Sequence, residues 1–346
     1  MANELLNTLY VTTQGSYLHI EGETLKIEAE GDTKLQVPVH HLGAVVCFGR
    51  VMVSPAAIAQ CSEDGRDLVF LSESGRFRAR MVGPTSGNVL LRLAQHQAYQ
   101  TPERTLDIAR NMVAAKVQNS RLVLMREARQ TNPDQVGAEP ALRTASARLA
   151  AILESLPKAN TLDVLRGNEG EAAATYFSVF HHLIRADGGD FTFDGRNRRP
   201  PRDPVNALLS FLYALVRIEC QAALEGVGLD PQIGFLHAVR PGRPSLALDL
   251  MEELRPLIAD RLALTLINRK QVTLSDFEQR PGGGILLNDQ GRRTLLVAYQ
   301  KRKAEEVYHP LAAKNTPLAL LPHLQARLLA RHLRGDLEHY PPFLGR

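Results

Sequence analysis

Three separated segments carry residue types that could act together as ligands or as acid–base groups. The first is Leu165-Arg166-Gly167-Asn168-Glu169-Gly170-Glu171. Asn168 followed three residues later by Glu171 is a capping signature, which predicts a helix over 168–184. Glu169 would then sit on a first turn between two glycines. There it is either a carboxylate open to a ligand or one that only complements the helix dipole. The second segment is Gly234-Phe235-Leu236-His237, where a histidine ends an apolar triplet and precedes the basic turn Arg240-Pro241-Gly242-Arg243-Pro244. Taken singly, that histidine is a ligand or a structural residue. The third is Asp249-Leu250-Met251-Glu252-Glu253-Leu254-Arg255-Pro256 on a predicted helix over 244–267. Asp249 lies on one helical face with Glu252 and Glu253, an unfavourable pairing of like charges unless a metal ion or an arginine such as Arg255 stands between them. Carboxylates plus an imidazole suit Mn²⁺, or Mg²⁺ retaining waters, better than a closed zinc site. An ion of that kind beside a phosphate would support phosphoryl transfer.

The elements that must position these residues fall into two blocks. Up to about residue 85, short β-prone runs punctuated by glycine dominate: 9–13, 17–20, 25–29, 35–39, 44–48, 68–71 and 77–82. One short helix interrupts them, with Ser54 as N-cap and Pro55 at its first position. Beyond Gly87 the periodicity is helical, over 88–100, 102–129, 140–156, 168–184, 204–226, 244–267, 290–306 and 316–335. The expected fold is α+β: a small sandwich-like N-terminal β-domain over 1–86, followed by a large all-α C-terminal domain over 87–346. Polar loops fall at Thr131–Glu139, Asp187–Asp203 and Arg280–Gly284.

Composition narrows the class. The 346 residues are 44% hydrophobic and 23% charged, as in globular proteins. Of 41 basic residues only 8 are lysine. The arginine excess suits phosphate contact or reflects a GC-rich genome. Three widely spaced cysteines without a CxxC pair exclude a disulfide framework and fit a reducing cytosol. The N-terminal residues do not pattern as a secretory signal. The apolar run from Val205 to Val216 reads as a buried helix rather than a membrane span, so a cytoplasmic location and no membrane partner are expected.

In order along the chain, Gly167-Asn168-Glu169-Gly170 with Tyr176-Phe177, Gly234-Phe235-Leu236-His237, and Asp249-Leu-Met-Glu252-Glu-Leu-Arg-Pro resemble the CRISPR adaptation integrase family. So do Arg198-Arg199-Pro200-Pro201-Arg202-Asp203-Pro204-Val205-Asn206, and Lys301-Arg302-Lys303 with His309-Pro310-Leu311 downstream. These are metal-dependent DNA endonucleases and integrases that insert new spacers at CRISPR repeats. The compact β-domain and the Arg-Pro loop look closest to members working with type I systems. By this resemblance the catalytic metal ligands are Glu169, His237 and Glu252. Glu252 takes the fourth position of the family's DxxE/D pattern, Asp249 becomes a supporting neighbour, and Glu171 receives no role.

The resemblance further implies a Mn or Mg cofactor and transesterification at a repeat edge. It implies resolution of branched DNA in the reverse direction and, without the partner protein, nuclease action on double-stranded DNA. It also implies a homodimer joined through the β-domains and a small ferredoxin-fold partner protein. Candidate DNA contacts are Arg166, Arg240, Arg243, Lys301, Arg302 and Lys303, with the 196–202 loop expected to be mobile without DNA. The alternatives are a non-catalytic DNA-binding protein whose carboxylates are structural, and a hydrolase of a small phosphate ester with a closed pocket.

Overall fold

The computed structural model describes residues 7–81, 89–130, 137–185 and 191–345. The 86/87 boundary, the first residue of the helix expected at 88, most of the 131–139 loop and the start of the 187–203 loop lie outside them. The chain divides into two compact units: residues 1–86 with Leu287–Gln300, and residues 87–286 with Lys301–Arg346.

Among the described residues the first unit contains eight strands: β1 (Asn7–Val11), β2 (Ser16–Glu21), β3 (Thr24–Ala29), β4 (Asp32–Pro38), β5 (Leu42–Phe48), β6 (Val51–Val53), β7 (Asp67–Leu71) and β8 (Phe77–Arg80). They form two four-stranded sheets, ordered β1-β5-β7-β8 and β4-β3-β2-β6. Alternating apolar positions of both sheets close one core, with Leu9, Leu18, Leu25, Val45 and Leu68 among its members. Helix α1 (Pro55–Glu63) adds Ala57 and Cys61 to that core. Its N-cap is Ser54, whose hydroxyl accepts from the Ala57 N–H, with Pro55 at the first position, as the sequence predicts. Gln300 Nε2 donates to the Thr8 carbonyl at 2.7 Å, which ties residues 287–300 to the strands.

The second unit contains α2 (Val89–Gln100), α3 (Pro102–Ala128), α4 (Ala138–Ser155), α5 (Leu162–Ser178), α6 (Pro204–Gly226), α7 (Ser245–Arg255), α8 (Arg261–Asn268) and α10 (Leu321–Arg334). Helix α9 (Asp289–Ala304) runs from one unit into the other. At the centre, α3 packs against α4, α5 and α7, and α6 packs against α7 and α10. Helix α6 has the length and hydropathy of a membrane span. Its Val205, Leu208, Leu209, Leu212 and Val216 are fully buried in this unit, which is the core reading.

Two expectations need correction. The C-terminal region is not all-α: β9 (Phe277–Gln279) pairs with β10 (Ile285–Leu287), and β11 (Glu306–His309) with β12 (Lys314–Pro317). The consecutive glycines of the 280–284 loop, with Gly282 and Gly283 at positive φ, turn the first hairpin. The helix expected over 244–267 is interrupted by a π-helical turn, Pro256–Asp260. Pro256 has no N–H to donate, so the α ladder breaks there and widens.

Candidate active site

Helix α5 carries Glu169. The expectation that Asn168 caps a helix beginning at 168 fails. Thr161 is the N-cap, its hydroxyl accepting from Val164 N–H, and Asn168 and Glu169 lie in mid-helix. A glycine inside a helix costs about 1 kcal/mol against alanine. Burial of Leu165, Ala172 and Tyr176 on the inner face carries the helix through both glycines. A Cβ added at Gly167 or Gly170 would meet nothing within 4 Å, so the helix presents a bare surface on either side of Glu169. The carboxylate is 26% exposed. Its mid-helix position removes the macrodipole reading, because that effect is confined to the terminal turns.

The loop bearing His237 is built around Asp249. This fully buried carboxylate accepts from the N–H groups of Phe235 (2.6 Å), Leu236 (3.0 Å) and His237 (2.9 Å). It also lies 2.7 Å from His237 Nδ1. Gly234 is required here: a Cβ would stand 2.7 Å from Ser245 and 2.8 Å from Asp249 Oδ2. A carboxylate on Nδ1 places the ring proton there and turns Nε2 outward as an acceptor or ligand.

Helix α7 buries Leu246, Leu250 and Leu254 and brings Glu252 to the same place. Glu252 Oε1 lies 3.3 Å from Arg255 Nη1 and 4.0 Å from His237 Nε2. Its Oε2 lies 2.7 Å from Lys116 Nζ, yet makes no aligned hydrogen bond. Lys116, on α3, also pairs with Glu169 Oε1. Burial opposes ionisation of Glu252, but the charges of Arg255, Lys116 and His237 outweigh it and hold its carboxyl down to about 2.

Glu169, His237, Glu252 and Lys116 line one cleft of about 1030 Å³. Arg196, Arg198 and Tyr213 also line it. Arg196 donates to Asn206 Oδ1 (2.6 Å) and Ser210 Oγ (3.0 Å), and its guanidinium lies 5.3 Å from the Tyr213 ring centre. Arg255 sits 5.2 Å from the same ring, so Tyr213 stands against two cations. The 196–202 loop, expected to be mobile without DNA, carries its own hydrogen bonds. Asn197 N–H donates to Asn206 Oδ1, Arg202 N–H to Asn197 Oδ1, and Asp203 caps α6 through Asn206 N–H. These bonds hold the loop within the protein.

The three sequence-picked ligands therefore meet. As they stand, though, no three His, Cys, Asp or Glu side chains among the described residues are grouped as a metal-binding set. The Lys116 ammonium lies between the two glutamates instead. The donor types fit Mn²⁺ or Mg²⁺: two carboxylates and an imidazole nitrogen, with the carboxylates already gathered around one cation.

The candidate DNA contacts separate into two kinds. Arg240 is exposed and Arg243 half-buried. Burial, and then the nearby charges of Arg240, Arg198 and Arg199, lower the Arg243 pKa against the opposing pull of Asp249. A cluster of arginines is thus assembled beside the histidine loop. Arg166, Arg302 and Lys303 are engaged within the protein. Arg166 donates to the Leu236 carbonyl (2.9 Å) and pairs with Asp163 (3.1 Å). Arg302 donates to the Leu257 carbonyl (2.7 Å) and pairs with Glu305. Lys303 pairs with Glu219 (2.6 Å). Lys301 is exposed, and none of 301–303 lines the cleft.

Sequence reading missed Lys116, Arg196 and Tyr213, whereas Arg255, offered there as a cation beside the carboxylates, does pair with Glu252 at 3.3 Å. A signal existed for Lys116. It falls among Met112, Val113, Ala115, Val117 and Ser120 on the buried face of α3, where an unpaired lysine would be costly.

Residues 9–301 match the family described as CRISPR associated protein Cas1. The chain is 52% identical over 342 residues to "CRISPR-associated endonuclease Cas1 1" of Moorella thermoacetica, covering 99% of each. It is 53% identical over 342 residues to "CRISPR-associated endonuclease Cas1 2" of Rhodospirillum rubrum, covering 98% of each. Among solved structures it is similar to a Cas1 protein from Thermotoga maritima, at a TM-score of 0.82 and 25% identity, covering 98% of this chain and 99% of that one.

Proposed function

This chain belongs to the CRISPR-associated Cas1 family, and on that premise we propose that it is a divalent-metal-dependent DNA endonuclease and integrase acting through Glu169, His237 and Glu252. The observation that carries the reading is their convergence. Three segments far apart in sequence bring two carboxylates and an oriented imidazole to one cleft beside an arginine cluster. A volume of about 1030 Å³ stands at the upper end of the range for small-ligand pockets.

Mn²⁺ or Mg²⁺ held by Glu169, Glu252 and His237 Nε2 would polarise a phosphoryl oxygen and lower the pKa of an attacking hydroxyl. The chain's own residues do the rest. Asp249 fixes the ring so that Nε2 faces Glu252. Arg198, Arg240 and Arg243 hold the DNA backbone, and Arg196, pre-set by Asn206 and Ser210, supplies a rigid donor fork at the cleft wall. The 3′-hydroxyl of a captured fragment, or water in hydrolysis, attacks the phosphodiester at a repeat edge; a new P–O bond forms as the bond to the flanking strand's 3′-oxygen breaks, and that oxygen leaves as a 3′-hydroxyl, with no covalent enzyme intermediate. Joining both ends of a repeat needs two sites at a fixed separation. Two homodimers, each formed through the β-domain of residues 1–86 and bridged by a dimer of a small ferredoxin-fold partner, would supply them. The system is of type I.

The test is a branched DNA substrate incubated with Mn²⁺ or with EDTA, beside Glu169→Ala and Glu252→Ala. Cleavage or strand transfer that requires the ion and both glutamates is expected. Cleavage of wild-type strength in EDTA, or by either variant, would overturn the assignment.

A further inference from the structure

Lys116 is a lysine only 4% exposed, on a stretch of α3 otherwise given over to the core. Its ammonium pairs with Glu169 on α5 and lies 2.7 Å from Glu252 Oε2 on α7. Burying an ammonium is expensive unless carboxylates surround it, and here it has two. Arg255 holds the other oxygen of Glu252 at 3.3 Å, and Asp249 is engaged by three backbone N–H groups and His237. A divalent cation reaching the same glutamate oxygens would stand against the ammonium already paired with them, and two cations at contact distance repel, so a resident cation gives way. Arg255 lines the same cleft but is poorly placed to move, because its guanidinium is held 5.2 Å from the Tyr213 ring centre and 3.3 Å from Glu252 Oε1. Lys116 lines the cleft on a flexible four-carbon stem.

Resting on the metal reading above, we propose that Lys116 is a built-in competitor for the metal ligands. It holds Glu169 and Glu252 in ligating positions, yields them when the divalent ion binds, and thereby sets the ion concentration at which the site fills. The released ammonium remains at the wall of the cleft, within the path of a bound phosphate. Lys116 is a positioning residue for the ligands, and its charge opposes the ion.

The test is Mn²⁺ binding by full-length protein without DNA, followed by the electron paramagnetic resonance signal of free Mn²⁺, for wild type, Lys116→Met and Lys116→Arg. The Met variant should bind Mn²⁺ at least about fivefold more tightly, the lower end of ordinary coupling between sites, and Lys116→Arg should stay near wild type. Melting temperature supplies a second readout. Lys116→Met should be less stable than wild type in EDTA, because buried Glu252 and half-buried Glu169 have lost a partner. In saturating Mn²⁺ it should recover to near the wild-type value. Mn²⁺ affinity unchanged or weakened in Lys116→Met, or a deficit that Mn²⁺ does not repair, would overturn the competition. Wild-type protein that takes up no Mn²⁺ would overturn the metal reading of the cleft with it.

Discussion

Asp249 and His237 are joined twice. One carboxylate oxygen takes the backbone N–H of His237 at 2.9 Å and lies 2.7 Å from its ring Nδ1. The other oxygen takes the N–H groups of Phe235 and Leu236. A single buried side chain thus sets the path of the loop and the direction of the imidazole.

Asp249→Asn replaces one acceptor oxygen by a donor, and the loop N–H groups cannot all be satisfied. The expected outcome is a stability loss of about 2–4 kcal/mol. Metal affinity should fall roughly 10–100-fold, as is usual when the partner of a ligating histidine is removed. Calorimetric melting and Mn²⁺ titration check the two effects separately.

Gly167→Ala and Gly170→Ala should each raise the melting temperature. Both glycines are inside α5 and face open space, so alanine gains about 1 kcal/mol of helix propensity with nothing to clash against. In a unit of this size that is roughly 2–4 °C. DNA cleavage should fall in the same variants if the bare surface beside Glu169 is where the backbone approaches. A drop in melting temperature would show that the glycines serve packing.

Glu253, next to the proposed ligand, receives Tyr340 OH, Gln325 Nε2 and Phe343 N–H, which binds the C-terminal segment to α7. Burial pushes its carboxyl up to about 7, against the hydrogen bonds from Tyr340, Phe343 and Gln325. The folded state therefore holds this proton more tightly than the unfolded chain. Its contribution to stability declines as pH rises from about 4.5 to about 7, by at most roughly 3 kcal/mol. Glu253→Gln removes that slope. The melting difference, variant minus wild type, should increase between pH 5 and pH 8; a constant difference would count against it.

Arg240→Ala with Arg243→Ala should weaken DNA binding and flatten its salt dependence, by roughly 0.9 in log–log slope for each phosphate no longer neutralised, with melting unchanged. Arg302→Ala should do the reverse. Its side chain is 11% exposed and donates to the Leu257 carbonyl in the π-helical turn, so stability falls while the salt slope holds. Filter binding across a salt series distinguishes the two.

What the sequence determined by itself is what short-range chemistry encodes. Ser54-Pro55 and Asp203-Pro204 announce the starts of α1 and α6, because a side-chain acceptor followed by proline suits the first turn of a helix wherever it occurs. Alternation marked most strands of the two sheets, and ordered motifs marked Glu169, His237, Asp249 and Glu252. Tertiary structure decided the rest. Asn168-Glu171 has the spacing of a cap, yet packing of Leu165 and Ala172 carries α5 straight through it. β6 and the hairpins after residue 276 are too short to show a period, and their pairing comes from partners rather than composition. Lys116 meets Glu169 and Glu252 across three helices. No local pattern records that meeting, because long-range ion pairs are fixed by how helices pack.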